Sequence, residues 1–278
     1  MNLPENFNYS QKSLQDFIYC SRLFKNRYID RIKWPAVELN PVDELEYRAK
    51  SGAEFHRIVY QFFSGISEEK IESNIRDKLI KTWWENFKIS IAAKQDHKDI
   101  YLSEARIYTF IGDFRLIAKL DLIAVKPDGR RIIYDWKTTH NRYKRKILSD
   151  HFQTKVYPYV LVSASDRIFP WEKTDPDRVK MIYWFAEYPE NPEVFEFDEI
   201  EFIKVEEEIR RIIEKIDGMN PEDFTKTQQQ RKCEYCVYRS LCGRGDLAGQ
   251  HEDTLELYYS EKTRELEFDL DQINEIEF

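Results

Sequence analysis

The sequence predicts a mixed α/β fold, with a central mixed sheet flanked by helices and an added helical and cysteine-cluster subregion. Three observations predict it. Patterns of helical period fill the first third of the chain, short β-type runs fill the middle, and an amphipathic helix followed by three cysteines comes near the end. With 278 residues, of which 42% are hydrophobic and 15% aromatic, the chain can bury a large core.

Three helices are predicted before any strand. Ser13 with Asp16 is typical of a helix N-terminus, and the helix that follows carries Cys20. Apolar residues at helical spacing predict a second helix over 42–63 and a third over 68–92. Each of these helices would bury one apolar stripe.

The middle of the chain changes to short runs of β type. The predicted strands cover 101–110, 114–125, 131–138, 178–187 and 194–197, and the first three should form an antiparallel meander. A helix over 149–162 should be kinked or shortened by the proline inside it, because proline has no backbone N–H. A last helix is predicted over 199–217, where a glycine and a proline stop it.

These elements divide the chain into four predicted regions. They are an N-terminal helical region (1–95), a core (96–218), a cysteine-cluster segment that packs against the first helix (219–248) and an acidic C-terminal tail (249–278).

The net charge of -8 argues against a protein that coats DNA without specificity, because such proteins neutralise phosphates with broad basic surfaces. A local basic channel is still compatible with this charge. The densest basic stretch is Arg142, Lys144, Arg145 and Lys146. It is either a solvated loop or a set of phosphate contacts, and its position just after the 131–138 strand favours the second interpretation.

The chain contains no apolar run near the roughly 18 residues that a membrane span requires. Its first residues lack the basic and apolar layout of a signal peptide. We therefore expect a cytoplasmic protein without membrane contact.

The triplet Asp135-Trp136-Lys137 is the central chemical motif. Because side chains alternate along a strand, Asp135 and Lys137 share one face of the sheet and Trp136 lies on the other. A three-residue loop over 127–129, with its glycine left-handed, would place Asp121 directly opposite Asp135. Two facing carboxylates repel unless a cation lies between them, and oxygen ligands suit Mg²⁺ or Mn²⁺. The lysine could then stabilise charge developing on a phosphoryl group, although an isolated D-x-K triplet is common in surface strands.

Other residues could complete this site. His56 lies one helical turn after a glycine and is either a metal ligand or a boundary residue. Glu104 is either a further ligand or a salt-bridge partner. Gln153 and Tyr157 are one turn apart on the predicted 149–162 helix, so both could face the site and donate to a phosphate or a base edge.

Four cysteines are present: Cys20 near the start and Cys233, Cys236 and Cys242 near the end. In a reducing compartment they predict a metal site rather than disulfides. Zinc and an iron-sulfur cluster both accept four thiolates, so ligand type leaves the two open. Either would join the two ends of the chain.

Together these residues resemble the PD-(D/E)xK nuclease superfamily, specifically the RecB-like branch with an iron-sulfur cluster, as in CRISPR-associated RecB-like exonucleases and the nuclease domain of AddB. The similarity covers about residues 13–242, and its motifs occur in the family's order. They are Gly52-x3-His56, Lys119-Leu120-Asp121, Asp135-Trp136-Lys137, Gln153-x3-Tyr157 and the cysteine layout. Two departures are aspartate in place of the commoner glutamate at 135 and Pro158 directly after Tyr157.

The resemblance implies a restriction-endonuclease-like core in which a divalent metal is held by His56, Asp121, Asp135 and the carbonyl of Trp136. It implies that Lys137 is catalytic and that Gln153 and Tyr157 assist DNA binding or catalysis. For the four cysteines it favours a [4Fe-4S] cluster over Zn²⁺.

The resulting prediction is a Mg²⁺- or Mn²⁺-dependent deoxyribonuclease, acting as an exonuclease on single-stranded DNA ends in DNA repair, recombination or CRISPR adaptation. No G-x4-G-K-[ST] motif occurs, so a helicase or CRISPR integration protein would be a separate partner. The alternative is a non-catalytic nucleic-acid-binding or scaffolding subunit with a zinc-stabilised nuclease-like fold. We expect loss of Cys20 or Cys233 to destabilise the protein and Lys137→Ala to leave it folded and inactive.

Overall fold

The computed structural model describes residues 3–4, 7–34, 42–169 and 173–247, the side chains of 42–46 excepted. The predicted acidic tail (249–278) lies outside the described residues.

A mixed sheet of six strands forms the centre of the described chain. The strands are β1 (Asn8–Ser10), β2 (Ile100–Ile111), β3 (Phe114–Val125), β4 (Arg131–Lys137), β5 (Val179–Phe185) and β6 (Glu193–Glu196). The order is β1-β3-β4-β5-β6, and β2 also pairs with β3. The pairs β1–β3 and β4–β5 are parallel and the others antiparallel, so the predicted mixed α/β fold and the β2–β3–β4 meander are confirmed.

The prediction that three helices precede any strand is wrong, because β1 comes first. Residues Asn8, Tyr9 and Ser10 pair with Arg115, Leu116 and Ile117 of β3. A three-residue strand carries almost no periodicity, and its partner lies more than a hundred residues away. This long-range pairing is invisible to a local pattern.

Nine α-helices accompany the sheet in the described ranges. They are α1 (Gln11–Tyr19), α2 (Ser21–Phe24), α3 (Val42–Phe63), α4 (Glu68–Glu72), α5 (Lys78–Ser90), α6 (Arg145–Asp150), α7 (Phe152–Ser163), α8 (Ser165–Ile168) and α9 (Glu199–Asp217). The predicted 42–63 and 199–217 helices are confirmed. The predicted 68–92 helix is instead the pair α4 and α5, because the Asp77 side chain caps α5 by accepting from two backbone N–H groups.

The first helix differs from its prediction in two ways. Its N-cap is Ser10, whose Oγ accepts from the Ser13 N–H at 3.2 Å while the Ser10 N–H donates to Ser13 Oγ at 2.9 Å, so the proposed Ser13–Asp16 cap is wrong. Cys20 is also not inside a continuous helix. It has an extended backbone (φ -164°, ψ 115°) that separates α1 from α2.

The helices cover the two sides of the sheet with two separate cores. On one side, which we call the α7 face, Leu120 and Ile133 of the sheet pack with residues of α7 and α9 such as Val160 and Ile213. On the other side, the α3 face, a layer of large aromatic residues from the sheet, α3 and α5 packs together. Its fully buried members include Trp136, Trp184, Phe55, Trp83 and Phe87.

The turn between β3 and β4 has the predicted geometry. Gly129 has a φ of 88°, and the Lys126 N–H donates to the Arg130 carbonyl at 2.9 Å. Ladder pairing then runs from Val125 with Arg131 to Leu122 with Tyr134. The next two residues along, Asp121 and Asp135, therefore lie opposite each other where the ladder ends.

In both long strands, β2 and β3, the alternation of side chains between the two sides of the sheet shifts by one residue at the level of Asp121. Leu120 packs in the α7-face core and Leu122 in the α3-face core, although simple alternation would place them on the same side. On β2, Ser103 pairs with Leu122 and Ala105 with Leu120, and the intervening Glu104 has a φ of +51°. This distortion places Glu104 and Asp121 side by side on the α3 side of the sheet.

Candidate active site

His56, Glu104 and Asp121 form the group that could hold a metal ion. Each offers one ligand atom, and these atoms lie within 4.8 Å of one another. His56 comes from α3, Glu104 from β2 and Asp121 from β3. His56 Nδ1 lies 3.5 Å from Asp121 Oδ1. An imidazole and two carboxylates are a donor set that accepts Mg²⁺ or Mn²⁺.

Electrostatics at this group favour a bound cation. Burial, and then the charge of Asp121, raise the pKa of Glu104. Lys119 compensates in part, because its Nζ lies 2.6 Å from Glu104 Oε2. The positive φ of Glu104 costs roughly 1–3 kcal/mol, and such strain is concentrated at functional positions. The fold therefore keeps these two carboxylates close together despite the backbone strain at Glu104 and the electrostatic repulsion between them.

The backbone of Trp136 connects this group to β4. Its N–H donates to Asp121 Oδ2 at 2.8 Å, and its carbonyl oxygen lies 3.1 Å from His56 Nε2. The indole of Trp136 is buried in the α3-face core. Trp136 is thus fixed by its side chain and offers its carbonyl oxygen at the predicted position.

Asp135, Lys137 and Gln153 form a buried polar cluster on the other side of the same strand. Lys137 Nζ lies 2.9 Å from Asp135 Oδ2 and donates to Gln153 Oε1 at 3.0 Å, while Gln153 Nε2 donates to Asp135 Oδ1 at 2.5 Å. The ammonium also lies 5.1 Å from the ring centroid of Tyr183. The predicted sharing of one face by Asp135 and Lys137 is confirmed, because both contact α7.

The structure does not bring Asp121 and Asp135 together on one face with a cation between them, as the sequence predicted, because the phase change of β3 turns Asp121 to the α3 side. The predicted ligands instead divide into two sets on either side of β4. The compact group consists of His56, Asp121 and Glu104, with the Trp136 carbonyl beside it, and Asp135 is held by the lysine cluster. Glu104, predicted as either a ligand or a salt-bridge partner, forms a salt bridge with Lys119 and also belongs to the group that could hold a metal ion.

Tyr157 lies one turn beyond Gln153 on α7 but is 1% exposed in the α7-face core. Its burial favours a positioning role over direct contact with DNA. Pro158 is accommodated inside α7, which runs from Phe152 to Ser163. The predicted start of this helix at 149 is wrong, because the short α6 occupies residues up to 150.

Part of the basic stretch after β4 is paired with a carboxylate of the protein itself. Arg142 and Arg145 both form ion pairs with Glu193. Lys144 precedes α6 as its N-cap and Lys146 is exposed on that helix. Two of the four predicted phosphate contacts are thus engaged with a carboxylate.

A close approach between α3 and the end of β4 explains the glycine before His56. A β-carbon added to Gly52 would come within 2.6 Å of Thr138 Oγ1. Thr138 fills the space beside this glycine. Thr138 was not predicted, and its position just after the D-x-K strand was the available signal. Lys119, which the sequence named in the motif Lys119-Leu120-Asp121 without a role, precedes Asp121 by two residues and so shares its side of the strand.

The four cysteines line one cavity, although they come from both ends of the chain. Its walls also include the basic residues Lys226, Lys232, Arg239 and Arg244. Burial raises the pKa of the Cys236 thiol to about 12, and burial also raises those of Cys233 and Cys242. Four thiols sharing one cavity lined by cations suit an anionic thiolate-bound cofactor.

Buried arginine donors lie beside the thiols. The Nε atoms of Arg22 and Arg239 are buried without a hydrogen-bond partner in the described chain, and both side chains lie near the thiols. Such cationic donors would stabilise the negative charge of thiolates that hold a metal or a cluster.

Hydrogen bonds join the two ends of the chain around this cavity. Ser21 Oγ and the Arg22 N–H both donate to the Thr225 carbonyl, at 3.1 and 3.2 Å. The Tyr238 hydroxyl donates to the Ile32 carbonyl at 2.9 Å. The cysteine segment is thus anchored to the first helices by contacts besides the thiols.

No helix in the described ranges is both long and apolar enough to cross a membrane.

Comparison with solved structures finds matches at low sequence identity. The protein SSO0001 is 12% identical, with 87% of this chain and 88% of that chain covered and a TM-score of 0.42. A protein of Eubacterium rectale provisionally named an exonuclease is 12% identical, with 90% and 92% covered and a TM-score of 0.48. No curated protein matches the sequence.

A family model provides the decisive comparison. The model of the PD-(D/E)XK nuclease superfamily matches residues 8–243, which include every strand of the sheet, both polar clusters and all four cysteines. The chain therefore belongs to the PD-(D/E)XK nuclease superfamily.

Proposed function

We propose that this protein is a metal-dependent deoxyribonuclease that hydrolyses phosphodiester bonds, working as an exonuclease on single-stranded DNA ends. The observation that carries the proposal is the meeting of two polar clusters across β4. The His56–Glu104–Asp121 group lies on one side, and the buried Lys137–Asp135–Gln153 cluster lies on the other. The Trp136 backbone connects them.

His56, Asp121, Glu104 and the Trp136 carbonyl would hold a Mg²⁺ or Mn²⁺ ion, while Asp135 stays with Lys137 and Gln153 on the other side of β4. When bound, such an ion supplies Lewis acidity and an activated water for phosphodiester hydrolysis. The raised pKa of Glu104 supports this assignment, because carboxylates that repel one another are stabilised by a shared cation.

The chain's own residues position the reacting groups. The Lys137 ammonium carries a fixed positive charge that would stabilise negative charge developing on the phosphoryl oxygens. Gln153 holds that ammonium and the Asp135 carboxylate at once, so their orientation does not depend on solvent. Tyr157 packs one turn further along α7 and would keep this helix face in register.

The four cysteines would hold a [4Fe-4S] cluster, as in the RecB-like iron-sulfur branch that the chain resembles. The meeting of the four thiols in one cavity and the two buried arginine donors support an anionic thiolate-bound cofactor, and the resemblance favours a cluster over zinc. The cluster would be structural, since it would join the first helices (in region 1–95) to the segment 219–248 beside the nuclease core (96–218).

The setting of this activity rests on the resemblance to RecB-like nucleases. We propose DNA repair, recombination or CRISPR adaptation, with a separate helicase or CRISPR integration protein as partner. Lys144 and Lys146 are the members of the basic stretch available for phosphate contact, whereas Arg142 and Arg145 would have to leave Glu193 first.

The experiment combines anaerobic purification, quantification of iron and sulfide, and cleavage assays with Mn²⁺. We expect cleavage of end-labelled linear single-stranded DNA, release of products from the labelled end, and no cleavage of circular single-stranded DNA. Cleavage of circular DNA would overturn the exonuclease assignment. Metal-independent cleavage that survives Lys137→Gln would overturn the mechanism.

A further inference from the structure

The hairpin of β2 and β3 carries an aromatic surface, which we call the hairpin surface, beyond the region that α3 and α5 cover. Along β2, Ile107 and Ile111 pack in the α7-face core, whereas the alternating residues Tyr108 and Phe110 are 37% and 53% exposed. Their rings contact each other edge to face, with centroids 5.8 Å apart. Alternation places both rings on the α3 side of the sheet.

Two arginines surround the Tyr108 ring. The Cζ atoms of Arg115 and Arg167 lie 4.0 and 4.6 Å from its centroid, and Arg167 also donates to the Tyr108 carbonyl. Neither guanidinium forms an ion pair within the described chain, and the buried Arg115 Nε has no hydrogen-bond partner there. Two cations are therefore held close together without a carboxylate, in a protein whose net charge is -8.

This arrangement is complementary to an anion flanked by aromatic groups. Like charges around one ring repel, and a phosphate bound between them would relieve that repulsion. An arginine stacked on an aromatic ring keeps its in-plane N–H donors directed outward, where they can reach phosphate oxygens. The exposed face of Phe110 would be left for a planar apolar group.

The surface is continuous with the metal-binding group. Phe110 pairs with Arg115, Tyr108 with Ile117, and further along β3 comes Lys119, which contacts Glu104. At about 3.3 Å for each strand residue, Phe110 lies about 20 Å from Glu104 along β2. Residues on the same side of the two paired strands thus form a continuous row from the hairpin tip to Glu104 and Asp121.

We propose that this hairpin surface binds a single-stranded segment of the DNA substrate and leads it to the metal-binding group. The proposal rests on the proposed function and names where its substrate lies. A base stacks on Phe110, and Arg115 and Arg167 bind neighbouring phosphates. Single-stranded DNA is the occupant because its bases expose π-faces for stacking, whereas those of a duplex are stacked on each other.

The test uses the full-length protein and fluorescent oligothymidylates of increasing length, with Ca²⁺ in place of Mg²⁺ or Mn²⁺. Stacking on Phe110 predicts that Phe110→Ala weakens binding of the long oligomers about fivefold or more and leaves the shortest unaffected. Arg115→Gln and Arg167→Gln should each reduce the slope of log Kd against log salt concentration by about one. Tyr47→Ala and Lys204→Gln, exposed residues elsewhere, serve as controls and should bind like the wild type.

A second substrate separates the two proposals. The p-nitrophenyl ester of thymidine monophosphate is too small to reach the hairpin surface, so Phe110→Ala should hydrolyse it with Mn²⁺ at the wild-type rate. Wild-type binding of long oligomers by Phe110→Ala, or an equal loss of binding to blunt duplex DNA, would overturn the hairpin proposal. If the wild type hydrolyses neither DNA nor the small ester, the nuclease function is overturned instead. The binding measurements would still decide whether the hairpin surface binds single-stranded DNA.

Discussion

The Nζ atom of Lys137 lies 3.0 Å from Oε1 of Gln153, so a helix side chain holds the ammonium of a strand residue. The other end of the same amide donates to Asp135. A primary amide can accept from a lysine through its oxygen while its nitrogen donates to a carboxylate, and this double use fixes its orientation. Gln153 is therefore the residue on which the geometry of the buried cluster depends.

Gln153→Leu should remove that control without removing either charged group. We expect kcat to fall about tenfold or more, because a misplaced ammonium stabilises the reaction poorly. The KM for DNA should stay near its wild-type value. Steady-state kinetics on single-stranded DNA measure both, and Lys155→Gln, on the same helix but paired with Glu208, is the control. An unchanged kcat in Gln153→Leu would contradict a positioning role.

Lys137→Ala should be inactive and also unstable, which revises the expectation of an intact fold. Asp135 is fully buried and 2.9 Å from the lysine ammonium, so removing the lysine leaves a buried charge without its counter-ion. Breaking such a pair costs about 3–5 kcal/mol. The double variant Asp135→Asn/Lys137→Met should regain much of that stability while staying inactive. Urea denaturation measures the difference, and equal stability of the two variants would refute the coupling.

Gly52→Ala should disturb the site through packing alone. The new methyl group would meet Thr138 Oγ1 at 2.6 Å, so the Thr138 side chain must rotate, or α3 and the segment after β4 must move apart. Overpacking of this kind costs about 1–3 kcal/mol, and the shift reaches His56 one turn away. We expect a lower Tm and weaker Mn²⁺ activation. Gly218→Ala, whose new methyl would meet its nearest atom at 3.4 Å, is the matched control, and a wild-type Tm for Gly52→Ala would show that the contact relaxes freely.

Asp121→Asn should separate metal binding from folding. The amide oxygen can still accept from the Trp136 N–H, so the strand contact survives, but the negative charge is lost. A ligand that binds the native state raises its stability by mass action, so Mn²⁺ should raise the Tm of the wild type and not that of the variant. Differential scanning fluorimetry with and without EDTA measures this, with Asp175→Asn as an exposed control. A full Mn²⁺ response in Asp121→Asn would remove Asp121 from the metal site.

Cys20→Ser and Cys233→Ser should destabilise the whole protein and release the cofactor. Loss of a thiolate-bound group that joins distant segments should cost about 3 kcal/mol or more, which for a chain of this size lowers Tm by roughly 10 °C. The visible absorbance of the cofactor's charge-transfer bands and the iron content of the protein measure whether the cofactor is retained. Ser21→Ala removes only the hydrogen bond to Thr225 and should change Tm by far less. A wild-type Tm in Cys20→Ser would contradict a structural role.

Several parts of the site could be predicted because they depend on short-range rules. The alternation of Asp135 and Lys137 follows from strand geometry, and Gly129 allows the three-residue turn that brings Asp121 opposite Asp135. The one-turn spacing of Gln153 after the D-x-K strand indicated that it could reach the same face. Each of these relationships spans fewer than twenty residues.

Other parts were decided by the tertiary structure. No local sequence pattern indicates that Glu104 adopts a left-handed backbone, because this distortion matches the shift of side-chain alternation in β3 opposite it. The helix break at Cys20 likewise depends on contacts with a segment some two hundred residues later. The pairing of Arg142 and Arg145 with Glu193, and the Arg115–Tyr108–Arg167 arrangement, arise only when distant strands and helices meet.

The sequence by itself thus determined which residue types and spacings the chain offers for metal and thiolate chemistry, since periodicity and turn preference are properties of neighbouring residues. The tertiary structure alone decided which carboxylates share a site, which cations are left for a substrate and where the two ends of the chain meet. Those outcomes depend on strand register and on packing between remote segments, and no local pattern encodes either.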